Sequence, residues 1–205
     1  MAQNGVDIEV SVDKALSQLN ETLAATPAQL ERAGQRAIKK VMAWVKTRIA
    51  RELSDSAGIT QKHLKTRLMV KNRGSGKDKV TVLWLGVEPM LADKAGKGRQ
   101  TKKGVSLKQR RYEGAFIRDM YGYDNGIWIR AERNTDNYTT TAKNRKANPN
   151  ALPEHVRGRF PVQHIAIDIE EHAAELFKRL EARIPDEFDK KFAQELNYVL
   201  NHEKG

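Results

Sequence analysis

Residues 110–131, RRYEGAFIRDMYGYDNGIWIRA, constrain the fold of this chain more than any other stretch. Gly114-Ala115-Phe116-Ile117 is followed by Asp124-Asn125-Gly126 and then by the alternating run Ile127-Trp128-Ile129-Arg130. An Asn-Gly step supplies the positive φ that tight hairpins demand, and alternation with period two is a strand pattern. Two strands paired about a turn at 124–126 are therefore predicted. Nothing in the segment is arranged for nucleophilic, metal-binding or acid–base chemistry. It reads as a scaffold hairpin with a basic approach, a part that docks.

Other periodicities fill in the rest. Val6–Val10 alternates as a short first strand, and Ser11 is placed to cap a helix with apolar Val12, Leu16, Leu19 and Leu23. Thr26-Pro27-Ala28-Gln29 forms a capping box with Pro at the first helical position. The helix it opens has a predicted stripe of Leu30, Ala33, Ala37, Val41, Trp44 and Ile49 or Leu53, so residues 1–58 read as an N-terminal helical region. Thr60 is expected to cap a short helix through Leu64. Arg67–Val70 and Val80–Leu85 flank Gly74-Ser75-Gly76 as a hairpin, and the second strand, apolar on both faces, belongs inside a sheet. Val162–Ile169 alternates through Ile165, Ile167 and Ile169. A helix from about Glu170 to Asn201 follows, kinked or split at Pro185.

This order predicts a single α+β domain over 1–205: a mostly antiparallel sheet with the N-terminal helices and a long C-terminal helix packed on one face. Two segments, 92–111 and 132–158, are longer than the loops compact domains usually carry. The first is expected to be a flexible basic loop and the second an extended polar one.

Charge directs attention to the first of them. The 205 residues carry 37 Lys and Arg against 26 Asp and Glu, a net charge of +11 that favours polyanionic partners. Lys94, Lys97, Arg99, Lys102, Lys103, Lys108, Arg110 and Arg111 fall within 94–111, a stretch without an acid. They are the predicted contact to nucleic-acid phosphates or to an acidic neighbouring subunit, with release of counterions on binding. Only Tyr112 stands beside them, so a stacking platform for single strands is missing. No recognition helix, zinc-finger spacing or RNA-binding aromatic signature points to sequence readout.

Other chemistry is constrained as well. Without Cys, disulfides, thiolate zinc sites and cysteine nucleophiles are excluded. No run approaches the roughly 20 apolar residues of a membrane span, and MAQNGVDIEV lacks a signal pattern; a soluble cytoplasmic protein is expected. His164, Asp168 and His172 would align as metal ligands on a helix, but the alternating isoleucines make the first part a strand, so these read as surface or boundary polar residues. Glu170, Glu171 and Glu175 suit the positive end of a helix dipole. The Gly-rich segments at 74–76 and 96–104 follow neither phosphate-loop pattern. Trp44, Trp84 and Trp128 have core packing as their default, with a subunit seam open for Trp128.

The segments EGAFI (Glu113–Ile117), GIWIR (Gly126–Arg130) and RFPVQHIAIDI (Arg159–Ile169), in that order before a C-terminal amphipathic helix, resemble the minor tail protein Z family of lambda-like bacteriophages. The likeness covers roughly the last half of the chain; the stretch 132–158 is longer than the family pattern. The resemblance implies a non-enzymatic virion protein at the head-proximal end of a long tail, acting in tail completion, head–tail joining and DNA-end positioning. It implies a homo-oligomer, a hexamer matching the sixfold tail, with tail tube, tail terminator or neck proteins as partners, DNA in the channel and no membrane. The location would be the virion, and the host cytoplasm during assembly. Phe116, Ile117, Trp128 and Arg130, in the matching segments, are the expected subunit-interface residues. No catalytic residue, metal or cofactor is assigned. The alternatives are a free, non-sequence-specific nucleic-acid-binding protein and a nuclease; the latter needs a carboxylate or His cluster that the sequence does not offer.

Overall fold

The computed structural model describes residues 5–11, 25–74, 80–108, 110–141 and 161–203. The fold is α+β, and every strand pairing among the described residues is antiparallel. The chain forms two compact units. One comprises Met1–Glu52, Leu64–Gly86 and Ala173–Gly205; the other comprises Leu53–His63 and Val87–His172.

The first unit holds strand β1 (Gly5–Ser11), most of helix α1 (Pro27–Ala57), β2 (Leu68–Arg73) and β3 (Val80–Gly86). Thr26 closes the capping box, accepting at Oγ1 from Gln29 N (3.4 Å) and donating its own N–H to Gln29 Oε1 (2.9 Å). The buried stripe of α1 is wider than a single row: Ala33, Ala37, Ile38, Val41, Met42, Val45, Ile49 and Leu53 are all buried. Leu30 and Trp44 lie only half inside. The guanidinium groups of Arg48 and Arg183 cover the Trp44 ring at 5.9 and 5.3 Å from its centroid. The sheet runs β1-β3-β2, with the apolar β3 at its centre as its two-sided pattern requires. The helix expected after Ser11 and the turn at 75–79 lie outside the described residues.

Pro185 splits the C-terminal helix rather than bending it. Helix α3 (Glu170–Glu181) and helix α4 (Ile184–His202) meet at residues 182–183, with Pro185 in the first turn of α4, where its missing N–H costs nothing. Phe188 and Phe192 stack at 5.6 Å in the core. The helix α4 runs antiparallel to α1, since Lys40 pairs with Glu195, and Arg36 (2.5 Å) and Arg32 (2.9 Å) with Glu203. Arg179 of α3 pairs with Glu52 in the same sense.

The second unit is built on strands. It holds the short helix α2 (Gln61–Arg67) up to His63, β4 (Met90–Leu91), β5 (Arg99–Gln100), β6 (Gly104–Leu107), β7 (Arg110–Glu113), β8 (Phe116–Met120), β9 (Tyr123–Arg130), β10 (Thr140–Thr141) and β11 (Val162–Ile167). One sheet has the order β10-β11-β9-β8, with β4 joined to the end of β11; β5-β6-β7 form another. The Thr60 hydroxyl donates to Lys94 O at 3.0 Å.

Three expectations are corrected here. The hairpin turn falls at Tyr121-Gly122, both with positive φ (56° and 81°), between paired Met120 and Tyr123. The Asp-Asn-Gly signal marks a bulge instead: Asp124 and Asn125 together face Asp119, Asn125 has φ 52°, and its N–H donates to Asp119 Oδ1 at 2.5 Å. The positive φ was correctly signalled, but at the wrong feature. Second, 92–111 is no loop: a 3₁₀ turn (Ala92–Ala95) leads into β5, β6 and the start of β7, because Val105, Leu107 and Tyr112 alternate and bury one face. Third, the start of 132–158 is ordered. Asn134 and Tyr138 close a turn through Tyr138 N to Asn134 Oδ1 (2.8 Å) and Asn134 Nδ2 to Tyr138 O (3.1 Å), before β10. Residues 142–158 lie outside the described residues.

Candidate polyanion interface

The small sheet β5-β6-β7 sorts the basic residues by face. Arg99 pairs with Ser106, and Ser106 with Arg111, so these three side chains form a row across one face. Two strand spacings put Arg99 and Arg111 about 10 Å apart along that row. Gln100, Val105 and Tyr112 form the parallel row on the opposite face, where Val105 and Tyr112 are buried.

Lys102 and Lys103 occupy the tip of the hairpin joining β5 to β6. The turn is closed by Thr101 N to Gly104 O (2.7 Å) and by the Thr101 hydroxyl to the same carbonyl (2.8 Å). Gly104 is required there: its φ is 155°, and a Cβ would stand 2.1 Å from the Tyr112 carbonyl oxygen. Gln100 ties the hairpin to β8, accepting from Ile117 N at 2.8 Å and donating to Gly104 O at 3.1 Å.

Tip and row together line a concavity of about 460 Å³. Its walls include Arg99, Lys102, Lys103 and Arg111, with Thr101 and Ser106 between them and Glu113 as the one acid. Four cations, two hydroxyls and exposed backbone suit a phosphate-bearing chain, held by charge and geometry without reading bases.

The other four predicted cations go elsewhere. Lys94 pairs with Asp93 at 2.9 Å. Lys108 donates to Gly58 O at 3.0 Å, just past the C-terminal end of α1, where a cation offsets the helix dipole. Arg110 stands opposite Leu107, on the buried side of the sheet. Lys97 is exposed but outside the row.

Sequence reasoning missed a second constellation. His164 is buried, not a boundary residue. It stacks on Trp128 (centroids 4.1 Å apart, 23° between planes), with Tyr123 edge-on at 4.8 Å. Its Nε2 faces Asp93 Oδ1 at 3.4 Å, too poorly formed for a conventional hydrogen bond, so the contact is ionic when His164 is protonated. Burial alone pushes the Asp93 carboxyl up; the polar contacts with His164 and Lys94 outweigh it and hold the pKa below the ordinary value. The Trp128 indole donates to Arg118 O at 2.9 Å, and Gly126 leaves it room, since a Cβ there would sit 2.5 Å from Nε1.

Trp128 is thus buried within the chain. Of the other expected interface residues, Phe116, Ile117 and Arg130 are half-buried on β8 and β9. Asp168 and His172 do not join His164: Asp168 Oδ1 accepts from Glu170 N at 2.9 Å to start α3, and His172 is exposed on that helix. Among the described residues no three His, Asp or Glu side chains converge as metal ligands, and no helix is long and apolar enough to cross a membrane. The Tyr112 hydroxyl is buried on the far side of the basic sheet, with no well-formed hydrogen bond among the described residues; burial raises its pKa, opposed by Arg110. The signal that could have revealed the cationic row was the alternation Val105, Leu107, set against the polar Ser106.

No family model, curated protein or solved structure matches this chain.

Proposed function

We propose that the protein is a structural component of a long-tailed bacteriophage tail, a tail-completion protein similar to the minor tail protein Z family. It would act by binding at the head-proximal end, as a homo-oligomer among tail tube, terminator or neck proteins. One observation carries most weight: the segments that bear the resemblance are neighbours in space. EGAFI leads into β8, GIWIR lies in β9 and the PVQHIAI part of the third segment spans β11, with Phe116 opposite Trp128 and Trp128 opposite His164. Motifs that share one sheet and one aromatic centre behave as a unit, which supports treating their order as a single signature. In this reading the cationic concavity faces DNA in the channel without reading its sequence. The test is electron microscopy of particles assembled with and without the protein. Tails that form but fail to join heads in its absence support the reading, and normal particles refute it.

The concavity itself favours a second reading, a nucleic-acid-binding protein that works outside any particle. Gel shift of the purified chain separates the two. Tight binding at physiological salt, with no other phage protein present, selects the second.

A further inference from the structure

The two outer strands of the first unit's sheet carry opposite charge. Among the described residues neither β1 nor β2 has a neighbour beyond β3. Asp7 and Glu9 of β1 are exposed, and so are Lys71 and Arg73 of β2. Register sets their heights: Glu9 and Lys71 both lie opposite Val82 of β3, while Asp7 lies opposite Trp84. Residues directly opposite share a face and residues two apart share it too, so all four charges project from one face. Since β1 and β2 each run antiparallel to β3, they are parallel to one another.

Two observations bear on what these edges meet. The attraction already operates inside one copy, where Arg73 reaches across the central strand to Glu9 at 3.5 Å. Beside β2, on the other face, a groove of about 300 Å³ is lined by the buried Ile38 and Met42 and by the exposed Ala43 and Val70, with Lys39 and Lys46 among its walls. Val70 is 45% exposed, although it lies in a strand.

An open strand edge presents unpaired N–H and C=O groups, and proteins commonly guard such edges with Lys and other charges that repel a second copy. Opposite signs on the two edges of one sheet do the reverse. The geometry points to head-to-tail self-association, in which β1 of one copy adds in parallel beside β2 of the next. Sliding one copy by the width of its sheet brings Glu9 next to Lys71 of its neighbour on the same rung. The incoming strand also covers Val70 and shields the apolar groove. Such a contact is heterologous, so it closes into a ring or continues as a fibre. The inference needs only this sheet; it holds or fails independently of the phage reading.

Light scattering of the full chain over a range of concentrations tests it. The wild-type protein should associate, more weakly as salt rises. Asp7→Lys/Glu9→Lys makes both edges basic, and Lys71→Glu/Arg73→Glu makes both acidic. Each variant alone should associate at least about tenfold more weakly. An equimolar mixture should regain association, because every basic edge then finds an acidic one. The single changes Glu9→Lys and Lys71→Glu, at exposed positions, repeat the same logic with less risk to folding. A wild-type monomer at all concentrations, variants that associate like wild type, or a mixture no better than its components overturns the inference.

Discussion

The cations of the two units are used differently. On the helices of the first unit, Arg32, Arg36, Lys40, Arg179 and Lys190 each have a carboxylate within 4 Å, and most of these pairs tie one helix to another. In the second unit Arg99, Lys102, Lys103 and Arg111 make no ion pair among the described residues, though they line a common concavity. Side-chain type does not distinguish the two sets; the presence of an opposing acid does. Like charges held side by side on a short sheet repel one another. A bound polyanion would supply the missing counter-charge.

The largest expected effect tests that difference directly. If four phosphates meet these four cations, the logarithm of affinity for duplex DNA falls with the logarithm of salt at a slope of roughly −3.6. Between about 50 and 200 mM salt the wild-type protein should then lose on the order of 100-fold in affinity. Replacing Arg99, Lys102, Lys103 and Arg111 together by Ser should bring the slope close to zero. The same replacement at Lys94, Lys97, Lys108 and Arg110 should leave most of it. Equal losses from the two sets would erase the distinction between the concavity and the rest of the basic segment.

That division was only half visible in the sequence. The eight cations were found by their density and the absence of acid among them, and density says nothing about face. Face depends on the register of β5, β6 and β7, whose strands of two to four residues are too short to show a clear alternation. Their glycines (Gly96, Gly98 and Gly104) read as flexibility, although Gly104 is there for a close backbone approach. Longer elements were legible: α1 from its capping box, β3 from its two apolar faces, β11 from its isoleucines and the helix break from Pro185. The Asp93–His164 contact could not be read at all, because it joins residues far apart in the chain through the pairing of β11. The turn at Tyr121-Gly122 was hidden by the stronger Asn-Gly signal four residues further on.

Gly104 offers the next test, because it decides whether the hairpin tip can present Lys102 and Lys103. Gly104→Ala drives a Cβ against the Tyr112 carbonyl and should destabilise the second unit by about 2 kcal/mol, seen as a lower melting temperature. Affinity for DNA should fall with it. Full stability would mean that the tip relaxes freely and that its lysines are not held in place.

The paired acid of the second unit, Asp93, gives a pH test. Its folded pKa lies below the ordinary carboxylate value, so the unfolded chain takes up a proton there first as pH falls. The stability this group contributes is therefore complete above the unfolded pKa and is lost as pH drops through the folded one. Asp93→Asn should cost about 1–3 kcal/mol near neutrality, and the variant should lose less stability than wild type on acidification below the ordinary carboxylate range. Thermal melts across that range measure both. Parallel curves for the two proteins would show that Lys94 and His164 do not hold this carboxylate.

The smallest effect is the control on the comparison itself. Lys190 lies 3.6 Å from Glu187, one turn away on the exposed side of α4, and such pairs contribute only about 0.2–0.5 kcal/mol. Lys190→Ala should therefore shift stability within that range and leave the salt slope of DNA binding unchanged, since its charge is already opposed. A slope reduced by about 0.9 would mean that Lys190 also meets a phosphate. In that case a nearby carboxylate would not remove a cation from the binding surface. The contrast between tying and docking charges would then have to be drawn by position on the molecule and not by pairing.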